Sequence, residues 1–132
     1  MPKIPAAELE RTITSQVVSF LEQRGWRPIR FQRTVDVKRG FQTGEPGQAD
    51  YLFLKYDHPE YYLVYAMWIE FKSPRDRRSC GCLTRAKAGK RGICGFCQQA
   101  NWRSREIARG AVVLIVSNFD DFMRGYDSLV LL

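Results

Sequence analysis

Gly47-Gln48-Ala49-Asp50-Tyr51-Leu52-Phe53-Leu54 and, after an intervening turn, Met67-Trp68-Ile69-Glu70-Phe71-Lys72 decide how this chain is read. Each segment is an apolar run with ionisable groups at one end, Asp50 at the mouth of the first and Glu70 and Lys72 closing the second. Side chains on a strand alternate between its two faces, so Glu70 and Lys72 project from the same side. Burying such groups unpaired costs several kcal/mol each, a large part of the ~5–15 kcal/mol that holds a domain folded. A divalent cation between the two carboxylates, with the ammonium turned to a phosphate, accounts for them. A salt-bridged cluster on a sheet edge is the competing explanation.

Outward from this stretch, 132 residues suit one domain spanning 1–132, with 45% apolar and 27% charged residues, the composition of a globular protein rather than a disordered one. No apolar run is long enough to span a bilayer, and Met1-Pro2-Lys3-Ile4-Pro5 lacks the apolar core of a signal peptide, so a cytoplasmic location is expected, with no membrane partner. The net charge of +7 is concentrated. Between Lys72 and Arg91 stand Lys72, Arg75, Arg77, Arg78, Arg85, Lys87, Lys90 and Arg91 against a single acid, Asp76. A focused basic segment beside a carboxylate pair is what a polyanionic backbone is drawn to, although such a segment also serves as a solubilising loop.

Upstream, Leu9, Ile13, Val17, Phe20 and Leu21 recur at helical spacing and predict a helix over 6–23 that Gly25 stops. Glu10 falls on or beside the apolar stripe, either as a rim residue or within reach of a buried metal, while Glu8 falls nearer the outer face. Alternation over Ile29, Phe31, Val35 and Val37 predicts a strand, and 40–47 a loop whose Gly47 lets backbone approach a ligand closely. Strands follow over 51–55 and 61–72. His58, the only histidine, falls in the turn between them, which excludes nuclease chemistry built on paired histidines. Downstream, a helix is expected over 98–109 and a central strand, buried on both sides, over 111–116; a short helix over 119–125 and an extended segment over 128–132 complete the chain. The order is helix, three strands, helix, strand.

All four cysteines lie in the basic segment 73–97, as Cys80-x-Cys82 and Cys94-x-x-Cys97. Paired cysteines on either side of a loop complete a tetrahedral thiolate shell for zinc, with Gly81 and Gly95 letting the backbone fold round it. Disulfides, disfavoured in a cytosolic chain, and an iron–sulfur cluster are the alternatives. With no open coordination position the zinc would be structural, stapling a loop that holds Arg85, Lys87, Lys90 and Arg91 out towards nucleic acid.

Taken together these residues resemble the VRR-NUC branch of the PD-(D/E)XK nuclease superfamily, which includes phage and bacterial junction resolvases. The likeness covers nearly the whole chain. It rests on Glu10, Gly47-Gln48-Ala49-Asp50, Glu70-Phe71-Lys72, Gln99 with Trp102 three residues on, and Val116-Ser117-Asn118-Phe119-Asp120-Asp121-Phe122. Gln48-Ala49 stands where the family often has Val-Pro, and the cysteine-bearing insertion fills what is usually a short loop, which leaves Gln98 as the alternative to Gln99. The resemblance implies an α/β, restriction-endonuclease-like core of order α-β-β-β-α-β, its mixed central sheet flanked by helices, with a zinc-stapled loop inserted. It implies that Asp50, Glu70 and the backbone carbonyl of Phe71 hold Mg²⁺ or Mn²⁺ and that Glu10 binds the same ion or helps form a second site. Lys72 would orient water or stabilise the transition state, and Gln99 would position the lysine, the water or the phosphate. The reaction implied is hydrolysis of a DNA phosphodiester to leave a 5′-phosphate, on branched or four-way-junction DNA, by a possible homodimer. A module of the same fold that binds DNA through its zinc-stapled loop without cutting is the alternative, and a structural partner in a larger repair or packaging complex is a third.

Overall fold

The computed structural model describes residues 6–31, 35–36, 41–42, 44–56, 64–76 and 78–129. His58, Arg77 and the start of the strand expected from residue 61 lie outside them, as does the end of the expected carboxy-terminal segment. In chain order the elements are α1 (Ala6–Gln23), β1 (Arg27–Arg30), β2 (Val35–Asp36), β3 (Phe41–Gln42), β4 (Tyr51–Tyr56), β5 (Val64–Phe71), α2 (Cys82–Lys87), α3 (Gly95–Ala108), β6 (Val112–Val116) and α4 (Phe119–Ser128).

The fold is mixed α/β, a four-stranded mixed sheet flanked by helices. Its strand order is β1-β4-β5-β6, with β1, β4 and β5 antiparallel in turn and β6 parallel to β5. A parallel neighbour cannot be reached by a tight turn, so the chain returns through α2 and α3. Strand parity sorts the two faces of β5. Met67, Ile69 and Phe71 point into a core with Ile13, Val17 and Leu21 of α1 and Phe122 of α4. Those three α1 residues are spaced by four, the stripe expected from the sequence. Phe20 extends the same packing, its ring edge-on to Phe122 and Tyr126 at 5.6 and 5.5 Å. Trp68, Glu70 and Lys72 point the other way, towards α3, where Trp68 meets Trp102 edge to face at 4.9 Å.

Five local expectations change, the first being that α4 runs on past the helix expected over 119–125 to Ser128, where an extended segment was expected to begin. The single strand expected over 29–37 is two pieces. Only β1 joins the main sheet, and β2 pairs instead with β3, which lies inside the stretch expected to be loop. The helix expected from residue 98 begins at Gly95, because the Cys94 sulfur caps it by accepting the Cys97 amide. Cysteine is not among the usual capping residues, so nothing in the sequence marked this start. The insertion carries a short helix of its own, α2. The last strand is not central: β6 forms the edge of the sheet, and Ile115, on the face towards α3, is 48% exposed. An apolar run reads the same whether its strand is covered on both faces or only in part.

No helix among the described residues is long and apolar enough to cross a membrane.

Candidate functional site

The site begins with the register of β4 against β5. Tyr51 pairs with Ile69 at the end of the ladder, which brings Asp50, the residue before β4, close enough for its charge to act on Glu70 and for the Phe71 amide to donate to its carboxylate. Backbone bonds tie both segments to their other neighbours: the Phe31 amide, just after β1, donates to the Asp50 carbonyl at 2.8 Å, and the Lys72 amide to the Val116 carbonyl of β6 at 2.8 Å. The loop before Asp50 is docked rather than open. Gly47 has φ +79°, and a Cβ there would stand 2.2 Å from the Gln98 carbonyl oxygen. Its close approach is therefore to the backbone of α3, not to a ligand as the sequence suggested. Glu45 ties the same loop down by accepting the Trp102 indole N–H at 2.9 Å.

On the face towards α3, Glu70 is 2% exposed. Its Oε1 lies 3.3 Å from Lys72 Nζ and its Oε2 3.4 Å from Arg103 Nη1. Lys72 Nζ also donates to Gln99 Oε1 at 2.6 Å. Gln99, rather than Gln98, is thus the glutamine at the site; the Gln98 side chain donates to the Ile93 carbonyl. Arg103 was not anticipated. It follows Gln99 by four residues, so both share a helix face, and that spacing was the available signal.

All three candidate acids are pushed above the usual carboxylate range. For Glu70 the main cause is burial, offset by the charge and hydrogen bond of Lys72 and reinforced by the negative charge of Asp50. Asp50 is exposed to solvent on one side, yet it stands in a protein-dense corner whose burial raises its pKa, with Lys72 and the Phe71 amide pulling it back. Burial and then Asp50 raise half-buried Glu10. The negative charge of Asp50 thus acts on both Glu10 and Glu70, the condition a cation relieves. Glu10 interacts by charge with Asp50 and Lys72 from α1. Among the described residues, however, the four cysteines are the group whose ligand atoms all gather within 4.8 Å. Glu10, Asp50 and Glu70 do not close to that spacing as a trio. The oxygen donors of Asp50, Glu70 and the Phe71 carbonyl suit a hard ion such as Mg²⁺ or Mn²⁺.

The cysteines could hold a metal ion such as zinc. The sulfur of Cys82 lies 3.7 Å from those of Cys94 and Cys97, and Cys80 and Cys97 are 3.5 Å apart. Four thiolates at ~2.3 Å from one ion stand about 3.8 Å from each other, whereas a disulfide needs ~2.05 Å. All four are free thiols, too closely gathered for several irons to lie between them. Backbone amides organise the sulfurs: Gly81 N–H reaches Cys94 Sγ at 3.1 Å, Cys94 N–H reaches Cys82 Sγ at 3.4 Å, and Cys97 N–H reaches Cys94 Sγ at 3.5 Å. The amides of Cys97 and then Gly81 bring Cys94 down to about 6, while the neighbouring sulfurs, Cys80 first, push Cys97 up to about 12. Metal binding would require the raised Cys97 thiol to give up its proton. Gly81 and Gly95 are outside the left-handed region, and a Cβ at either meets nothing closer than 3.6 Å, so these N–H···S bonds shape the site rather than any need for glycine.

Of the basic residues, Arg75, Lys87, Lys90 and Arg91 are exposed. Arg78 is also exposed but pairs with Asp76 at 2.8 Å, which holds the Asp76 carboxyl down to about 2. Arg85 does not reach outward as expected. Its Nη2 donates to the Arg91 carbonyl at 2.7 Å and its Nε is buried, so it closes the turn of the insertion.

No family model, no curated protein and no solved structure matches the chain.

Proposed function

We propose that the chain is a metal-dependent DNA endonuclease with a restriction-endonuclease-like core of the VRR-NUC kind, acting on branched DNA. The observation that carries this reading is the meeting of Glu70, Lys72 and Gln99 at the end of β5, within reach of the charge of Asp50. Phosphodiester hydrolysis needs a nucleophilic water, relief of charge on the phosphate, and a cation placed before the reaction begins. Asp50, Glu70 and the Phe71 carbonyl are the residues to hold Mg²⁺ or Mn²⁺, which when bound supplies Lewis acidity towards water and a phosphate oxygen. Lys72, fixed between Glu70 and Gln99, presents its ammonium to the phosphate or to the attacking water at little reorganisation cost. Gln99 keeps the amine from collapsing wholly onto Glu70. Arg103 balances the Glu70 charge from the far side, which leaves Lys72 freer to face substrate. The four thiols take zinc, whose role is to fix the insertion beside this site.

A second reading is favoured by the ion pairs themselves. Lys72 and Arg103 already neutralise Glu70, so the cluster is also stable as a structural knot in a zinc-stapled module that binds DNA without cutting. Incubation with flaps, nicked duplex, four-way junctions and linear duplex, with and without Mg²⁺, separates the two. Metal-dependent cutting that disappears in Asp50→Ala and Lys72→Ala is expected. Binding of these DNAs with no cutting under any divalent ion would favour the second reading and end the first.

A further inference from the structure

Beside the carboxylates, between the first half of α3 and the open edge of β6, lies a cleft of about 290 Å³. Lys72, Gln99, Arg103 and an Arg78 already paired with Asp76 line it, and so do Phe96 and Ile115. The chemistry proposed above gives no task to those two apolar side chains. Both are large and open to solvent, Phe96 at 43% and Ile115 at 48% exposure, although the same fold buries Trp102, Phe53 and Phe122 almost completely. Their positions follow from structure already described. Ile115 is uncovered because β6 is the edge strand. Phe96 sits between Cys94 and Cys97, so the cysteine centre sets where its ring stands.

Cations and exposed apolar side chains lining one cleft match a ligand with an anionic part and a flat apolar part. A nucleotide has both, and base stacking on an aromatic ring together with cations along the backbone is how single strands are held. The size narrows the ligand further. The volume falls near the lower end of the ~300–1,000 Å³ typical of small-ligand sites, room for one nucleotide but not for a duplex. A base inside a duplex cannot reach such a cleft unless it is unpaired or extruded.

We propose that this cleft receives one unpaired nucleotide of the DNA, its base against Phe96 and Ile115 and its phosphate towards Lys72 and Arg103. Its position next to the cut rests on the nuclease reading; the binding itself does not. The substrate class that follows is DNA with a single-stranded element at the scissile phosphate, such as a flap or the opened arm of a branch.

The test uses the full chain loaded with zinc, without added Mg²⁺. A short single strand carrying the fluorescent base 2-aminopurine is titrated, and a blunt duplex of the same sequence is titrated in parallel. The single strand is expected to bind with the fluorescence loss of a stacked base. Phe96→Ala should weaken it about tenfold or more, Phe96→Trp should keep it, and duplex affinity should not move. Ile115→Ser gives the same readout from the other apolar side chain and covers the case that Phe96→Ala misfolds, which zinc content and a thermal melt report. Unchanged single-strand binding in both variants would overturn the proposal, and so would equal weakening for strand and duplex. Selective loss of single-strand binding in a protein that never cuts would uphold the cleft while ending the nuclease reading. Mg²⁺-dependent cutting with no dependence on Phe96 or Ile115 would do the reverse.

Discussion

Two clusters of ligand-type side chains stand beside α3, and they are built on opposite principles. The cysteine cluster has its geometry complete. Its sulfurs approach tetrahedral spacing and three backbone amides point at them. Its sulfurs, however, stand so close that Cys80 first, then Cys94 and Cys82, push the Cys97 thiol up to about 12. The carboxylate cluster has one acid paired, two more beside it, and its geometry open. Lys72 and Arg103 neutralise Glu70, Asp50 faces solvent, and Glu10 acts from a separate helix. A closed set of soft donors holds one ion as part of the fold. An open set of hard donors, only partly countered by cations, leaves positions at which an ion's other partners can exchange. The same helix serves both, capped by Cys94 at its start and presenting Gln99 and Arg103 further along.

That contrast can be broken most forcefully at the open cluster. Asp50→Ala and Lys72→Ala should each lower metal-dependent DNA cutting about a thousandfold or more in single-turnover assays, with zinc content and melting temperature close to wild type. Equal loss of zinc in those variants would show that the clusters are one unit. Cys94→Ser should do the opposite first. Elemental analysis should show the zinc gone and thermal melts a midpoint lower by roughly 10 °C; a variant that keeps both removes the structural role assigned to the closed cluster.

A smaller effect is expected where the two clusters share a support. Gly47→Ala forces a left-handed residue against the Gln98 carbonyl and should cost about 2 kcal/mol in urea titrations, with a further loss of cutting because Asp50 moves. Full stability would mean that the loop does not press on α3. Smaller again is a pH effect in metal-free protein. The folded pKa of Glu70 is raised, so its charged form lowers stability, fully above that raised value and not at all below the ordinary carboxylate range. Glu70→Gln should therefore melt higher than wild type at neutral pH, and the gap should close as the pH falls through the Glu70 pKa. A gap that widens on acidification would mean that the ion pairs outweigh burial. Smallest of all is Arg78→Ala, which removes a pair whose guanidinium is exposed; less than about 1 kcal/mol should be lost.

Much of both clusters was legible because it rests on short-range periodicity. Two-residue alternation put Glu70 and Lys72 on one face, and the cysteine spacing alone suggested a single centre. Gln99 was found through its likeness to a family pattern and is placed here by its bond to Lys72. What escaped depends on contacts made at long range. Arg103 is an ordinary helical arginine until β5 brings Glu70 under it. Glu45 looks like a loop residue until Trp102 is buried beside it. Gly47 was recognised as a close-approach glycine, but its neighbour could not be known without the docking of α3. Residues 111–116 read as central because an apolar run does not say how many strands flank it, and Arg85 read as outward because a charge run does not say which member closes the turn.

The most direct test of a hard-cation centre distinct from the cysteine centre is a count of bound Mn²⁺ by electron paramagnetic resonance in zinc-loaded wild type and Asp50→Asn. We expect Mn²⁺ to bind the wild type, weakening as the pH falls towards the raised pKa values of Asp50 and Glu70, and to be lost from the variant while zinc is retained. Equal Mn²⁺ binding in both proteins, or none in either with and without DNA, would contradict it.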